Sequence, residues 1–162
     1  MIALPPSVQP WPIGVGPRYQ PAAANTAVLR GDSFGRFACR SGRTFAVHVE
    51  LFAQRRVVVV PTRIGVARSG CRYALSTTAR TGVVQVSRAG RYTLGDLFRV
   101  WGRRLSPARL LTFGGRVSVF VDGQRRSGDP RRLVLRPHAQ VVVEIGGHVP
   151  PHPSYLFPKG AR

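Results

Sequence analysis

The chain has 162 residues, 43% of them apolar, and a net charge of +19. That is enough apolar sequence for one packed domain and too much for a disordered chain. No apolar run approaches the roughly 20 residues of a membrane-crossing helix, so no transmembrane span is expected.

Six of the 14 prolines fall in residues 1–21, and "MIALPPSVQPWPIGVGPRYQP" has neither a basic leader nor a continuous apolar run. It does not read as a secretory signal, which makes the cytoplasm the default compartment. Residues 1–27 are expected to be extended, with Trp11 and Tyr19 free to dock on a body spanning 28–148. Cys39 and Cys71 follow; they fit either a disulfide or a reduced, partly buried pair, and two cysteines alone cannot complete a tetrahedral zinc site.

"FAVHVELFAQRRVVVVP" (45–61) alternates with period two. Phe45, Val47, Val49 and Leu51 share one face, and Ala46, His48 and Glu50 the other. The valines 57–60 favour a second strand, so "AQRR" predicts a hairpin connection. "TGVVQVS" (81–87) reads as another strand. In "YTLGDLFRVWG" (92–102), Leu94, Leu97, Phe98 and Trp101 form one helical stripe. Thr93 caps it, Asp96 stands at capping-box spacing, and Gly102 stops it, which predicts a main helix at about 93–101. "SPARLL" (106–111) resembles one more helical turn, with Ser106 as cap and Pro107 first.

"VFVDGQRRSGDPRRLVL" (119–135) begins as a strand and turns at Asp122-Gly123, a pair suited to a two-residue hairpin loop. "RLVL" and "QVVVEIG" supply further strands around a turn at Pro137-His138. A second proline-rich segment, 149–162, ends in Tyr155, Leu156 and Phe157, an apolar group expected to pack on the body. The fold class is therefore α+β and β-dominated: antiparallel sheets and one main helix, with a β-grasp-like second half made from 83–87, the helix, 116–121, 132–135 and 140–145. An echo, V-x-V-x-[apolar]-x-x-Q-R-R, relates 47–56 to 117–126, most simply as two unrelated hairpins.

Only one of the 25 basic residues is lysine. With abundant Ala, Gly, Pro and Val, that bias fits a GC-rich coding sequence, so arginine number alone says little about function. The shortage of acids, six in all, says more. Residues 1–87 and 88–136 each carry a net +9, and 137–162 carry +1, so the charge decorates the body and not a tail. Such a field attracts phosphates and acidic partners. Arg125, Arg126, Arg131 and Arg132 are expected at the tips of the 119–135 hairpin, with Arg55 and Arg56 joining them if the echo is structural. His48, His138, His148 and His152 are scattered and read as surface or packed residues. No nucleophile–base pair, paired carboxylates or phosphate-cradling glycine loop is present in the pattern.

Five segments, "HVELFAQRRVVVVPTRIGV", "CRYALSTTARTGVVQV", "YTLGDLFRVWGRRLS", "VSVFVDGQRRSGDPRRLVLRPHAQVVVEIG" and "PPHPSYLFPKG", carry a resemblance over about residues 46–160. The chain resembles a divergent member of an uncharacterised family of small bacterial proteins, common in actinobacteria and often exported or membrane-anchored. The family's pattern has a His-x-His strand and a His-Thr-His-Asp run, a constellation suited to zinc or copper. Here Ala46 stands beside His48, and the second run reads Ser76-Thr77-Thr78-Ala79. The resemblance thus implies an emptied site, no metal and no cofactor.

Two functional classes follow. The first is a non-enzymatic structural or interaction protein, part of an assembly or an envelope surface, with a basic face for an acidic macromolecule. The second is a nucleic-acid-binding module making mainly phosphate contacts, because the strands lack interleaved aromatic and basic residues.

Overall fold

The computed structural model describes Phe37, Cys39 and residues 42–161. The expected N-terminal segment, with Trp11 and Tyr19, lies outside the described residues. Among the described residues, seven strands form one mixed sheet and three short ones a second.

β1 (Thr44–Ala53) is the spine of the large sheet. β2 (Arg56–Val58) folds back on it, and β4 (Val83–Ser87) pairs antiparallel along its first half, with β3 (Leu75–Ser76) outside. Next comes α1 (Leu94–Trp101). After it, β8 (Val117–Val121) and β9 (Gln124–Arg126) form a hairpin, and β10 (Gln140–Ile145) inserts between β8 and β1. The order β3-β4-β1-β10-β8-β9 has β1 and β10 parallel at its centre, His48 opposite Gln140 and Ala53 opposite Ile145. Parallel neighbours need a long crossover, and the intervening chain with α1 supplies it. This is a β-grasp arrangement. It takes in the first strand as well as the second half of the chain, and its central pairing is parallel, not antiparallel.

The period-two pattern of β1 decides which face meets the helix. Phe45, Val47, Val49 and Leu51 join Val141, Val143 and Ile145 of β10 in the main core, under Leu94, Leu97, Phe98 and Trp101. Thr93 and Asp96 make both capping-box bonds, at 3.2 and 2.9 Å, and Gly102 closes the helix with its N–H on the Arg99 carbonyl. On the other face, Phe52, Val57, Val59, Phe120 and Val142 form a smaller cluster, with Val149 packed against it.

Two predicted elements are corrected. Residues 106–111 are not helical. β5 (Leu105–Ser106), β6 (Arg109–Leu110) and β7 (Phe113–Gly114) make a small antiparallel sheet. The Ser106 hydroxyl accepts from the Ala108 N–H across a tight turn, and Pro107 fits a turn corner as well as a helix start. Six residues are too few to recover the cost of helix nucleation, whereas the strand arrangement buries Leu105 and Leu110. Nor is 132–135 a sheet strand. A 3-10 turn (Pro130–Arg132) leads into a segment that bonds to the start of the helix, Leu94 N–H to Leu133 O and Leu135 N–H to Tyr92 O. The edge of the sheet on that side is β9.

The repeated Q-R-R does not occupy equivalent sites. In the first hairpin Gln54 and Arg55 are themselves the turn, both at positive φ, whereas in the second the turn is Asp122-Gly123 and the Q-R-R follows it. The sequence echo is therefore out of structural register by two residues.

Cys39 and Cys71 form a disulfide, which ties the segment before β1 to the loop before β3. The C-terminal segment crosses the outer face of the sheet: Tyr155 stacks on His48, and Phe157 meets His138 at 5.0 Å between ring centroids. Leu156 departs from the expected docking, at 56% exposed.

Candidate functional site

Two places gather polar chemistry, one beneath the C-terminal segment and one around the Pro130–Arg132 turn.

On the outer face, β1 presents His48 and Glu50, and β10 presents Gln140 between them, all almost fully buried. His48 Nδ1 lies 2.6 Å from Gln140 Oε1, and Nε2 lies 2.8 Å from the Thr81 carbonyl. Gln140 Nε2 donates to Glu50 Oε1 at 3.1 Å, and His152 Nδ1 meets Glu50 Oε2 at 2.8 Å. The Tyr155 ring stacks on His48 at 3.6 Å. A chain of four side chains thus runs His48–Gln140–Glu50–His152 under a tyrosine lid.

The protonation of this chain is contested. With the amide of Gln140 placed as it is, both nitrogens of His48 face oxygen atoms, which only the imidazolium satisfies. Burial pushes His48 the other way, below the ordinary imidazole range, against the pull of Gln140, Glu50 and Thr81. We favour the lowered direction, because charging a buried ring costs more than reversing an amide. Reversal, however, sets the amide oxygen against Glu50, so the proton on His48 is coupled to the carboxylate. His152 is raised, first by its hydrogen bond to Glu50. Tyr155 is raised by burial and then by the Glu50 charge.

Sequence reasoning placed His48 and Glu50 on one face correctly but read the histidines as scattered. The missing information was that His152, 102 residues beyond Glu50, returns to it. Positions 46 and 76 of the resemblance also come to one row, Ala46 and Ser76 each opposite Gln85. Among the described residues, no group of three or more His, Cys, Asp or Glu side chains could hold a metal ion.

The arginines of the 119–135 stretch are divided by the pleat. Arg126 pairs with Val119, and Arg125 with Phe120. Since Val119 belongs to the main core and Phe120 to the outer cluster, the two guanidiniums leave opposite faces of the sheet. Arg125 reaches Ser118 at 3.4 Å and lines a hollow with Arg116, Glu144 and His148. There Glu144 holds His148 Nδ1 at 2.7 Å. Arg55 and Arg56 lie at the β1–β2 turn, beside the Ile145 end of β10, whereas the 122–123 turn is beside its Gln140 end. They do not join the others.

The 3-10 turn separates Arg131 from Arg132 in the same manner. Asp129 caps the turn through the Arg131 N–H and grips the Arg131 guanidinium at 2.6 Å. That bond holds the Asp129 carboxyl below its usual range and raises Arg131. Arg131 faces a hollow of about 570 Å³ with Arg99, Arg103, Arg104 and Arg109 on its walls. Arg132 faces a cleft of about 700 Å³, shared with Arg126 and with Arg136, which sequence reasoning missed. Val119, Val121, Leu133 and Val141 floor that cleft. Asp122 lines it too, but its carboxylate accepts from the Gln140 N–H at 2.9 Å. Arg126, Arg132 and Arg136 are exposed and form no ion pair with a carboxylate among the described residues.

No family model, curated protein or solved structure matches the chain.

Proposed function

We propose that this protein is a non-enzymatic interaction domain that holds an acidic macromolecular partner against the arginines around the Pro130–Arg132 turn. One observation carries the reading: eight arginines line the two hollows on either side of that turn. Composition explains how many arginines there are, but not their gathering from helix, small sheet, hairpin and turn on the two sides of one turn. Arginine suits the task, since its planar fork meets carboxylate or phosphate with two bonds. The Cys39–Cys71 disulfide supports an oxidising compartment and a role at an envelope surface or in an exported assembly.

A five-site variant, Arg104, Arg109, Arg126, Arg132 and Arg136 each to Gln, tests the reading by fluorescence anisotropy with labelled polyglutamate and labelled duplex DNA. Wild type should bind polyglutamate in a salt-sensitive manner, and the variant at least about tenfold more weakly. Failure of wild type to bind either polymer at low salt would refute an acidic partner. Binding of DNA alone, with the log-log salt slope falling by about 0.9 per lost contact, would give the function to nucleic acid instead.

A further inference from the structure

We infer that the cleft beside β9 accepts an extended peptide segment, apolar at its centre and acidic at its ends, which adds as a strand to the free edge of the sheet. The inference rests on the reading above and names the occupant.

The cleft's lining sets the chemistry. Its floor is aliphatic, from Val121, Leu133 and Val141 among others, and its rim carries Arg126, Arg132 and Arg136. No aromatic side chain lines it, so it offers no stacking platform for a nucleobase. A phosphate backbone would meet the rim and leave the floor wet. At about 700 Å³ the space is also far larger than an inorganic anion needs and accommodates a few aliphatic side chains. Aliphatic side chains flanked by carboxylates satisfy floor and rim together.

The edge sets the conformation. β9 ends the strand order, so among the described residues one side of it has no partner strand. Val121 and Gln124 flank a two-residue turn and are a hydrogen-bonded pair. The next pair, Phe120 and Arg125, is then of the non-bonded kind, which turns the Arg125 N–H and C=O outward. A strand added there alternates its side chains between the helix side, where the cleft lies, and the outer side, where Arg125 lies. A short edge bearing adjacent arginines repels a second copy of itself and selects an acidic strand.

The test uses the full chain and a short labelled peptide with valines at its centre and glutamates at both ends. Binding should weaken about fivefold for each of Arg126→Gln, Arg132→Gln and Arg136→Gln, and stay unchanged for Arg55→Gln at the far end of the sheet. N-methylation of alternate peptide bonds on the pairing side should abolish binding, and the Arg125 amide should gain hydrogen-exchange protection in the complex. If polyglutamate or duplex DNA binds as tightly as the peptide, with the same arginine dependence, an acidic partner stands and this occupant fails. If the peptide binds but N-methylation and the Arg125 amide are indifferent, edge pairing is overturned. If no acidic probe binds, both readings fall.

Discussion

Replacing Glu50 with Gln should turn a stability profile that peaks near pH 6.5 into one that falls on the acid side alone. In the wild type two histidines titrate with opposite consequences. His152 has its folded pKa raised by Glu50, so its contribution is complete below the unfolded value near 6.5 and is lost as pH rises through the folded pKa. His48 is depressed by burial, so its contribution is present above about 6.5 and lost as pH falls through the folded value. Each slope is at most about 1.4 kcal/mol per pH unit per proton; the His152 slope lies above about 6.5 and the His48 slope below it, so wild-type stability should peak between the two. Glu50→Gln removes the carboxylate that raises His152 and one of the influences that raise His48. The first slope should vanish and the second remain. At pH 6 the lost charge-assisted bond should cost about 1.5–3 kcal/mol, the usual worth of a hydrogen bond to a charged group. Urea unfolding at half-unit steps from pH 5 to 8 reads the profile, and histidine ring resonances in NMR spectra assign each titration. A wild-type His152 titrating at or below the ordinary value, or a variant with the wild-type profile, would refute the coupling.

Trp101→Ala should destabilise by about 3–5 kcal/mol, since the ring is 1% exposed within the main core; an unchanged denaturation midpoint would remove the helix from that core. Reducing Cys39–Cys71, whose partners are 32 residues apart, should cost about 4 kcal/mol by loop entropy, measured as the difference in unfolding free energy with and without reductant. Gly65→Ala should give little folded protein, because a Cβ there would lie 1.9 Å from the Leu75 carbonyl oxygen and φ is +62°; near-native stability would show that β3 can move away.

The helix and β1 were legible because each depends on nearby residues. Thr93, Asp96 and Gly102 mark the ends of α1, and the stripe Leu94, Leu97, Phe98 and Trp101 marks its buried face. The alternation from Phe45 to Leu51 likewise marks one face of β1. What the sequence concealed was long-range. Nothing local states that β10 lies parallel beside β1, or that Glu50 meets His152. Short segments misled for a different reason: Pro107 suits a turn and a helix start alike, and "RLVL" has the composition of a strand, yet its hydrogen bonds go to the helix cap. The basic surface was half legible. Arg125 and Arg126 were rightly placed after a hairpin turn, but adjacent residues on a strand face opposite ways, and only the pairing register tells which of them shares a surface with Arg132 and Arg136.

A biased composition is enough to give arginine in place of lysine, but it does not account for where the acids are. Each of the five described carboxylates has a hydrogen-bond partner within the chain. Glu50 takes His152 and Gln140, Glu144 takes His148 and the Val149 N–H, Asp96 closes the helix cap, Asp122 takes the Gln140 N–H, and Asp129 caps the 3-10 turn while gripping Arg131. Two acids thus meet histidines, two meet backbone donors, and one neutralises an arginine two residues away. Among the described residues none forms an ion pair with Arg126, Arg132 or Arg136, although Asp122 and Asp129 line the same cleft and Arg132 adds to the field on Asp129. Carboxylates near enough to quench the cleft are tied elsewhere, which leaves its three guanidiniums a net positive field over an apolar floor. Freeing a carboxylate there tests whether that arrangement matters. Arg131→Gln releases Asp129 from its guanidinium bond, so an arginine of the rim gains an intramolecular competitor, and the acidic peptide should bind more weakly although Arg131 itself lines the other hollow. Unchanged affinity would mean that the placement of the acids is incidental to binding.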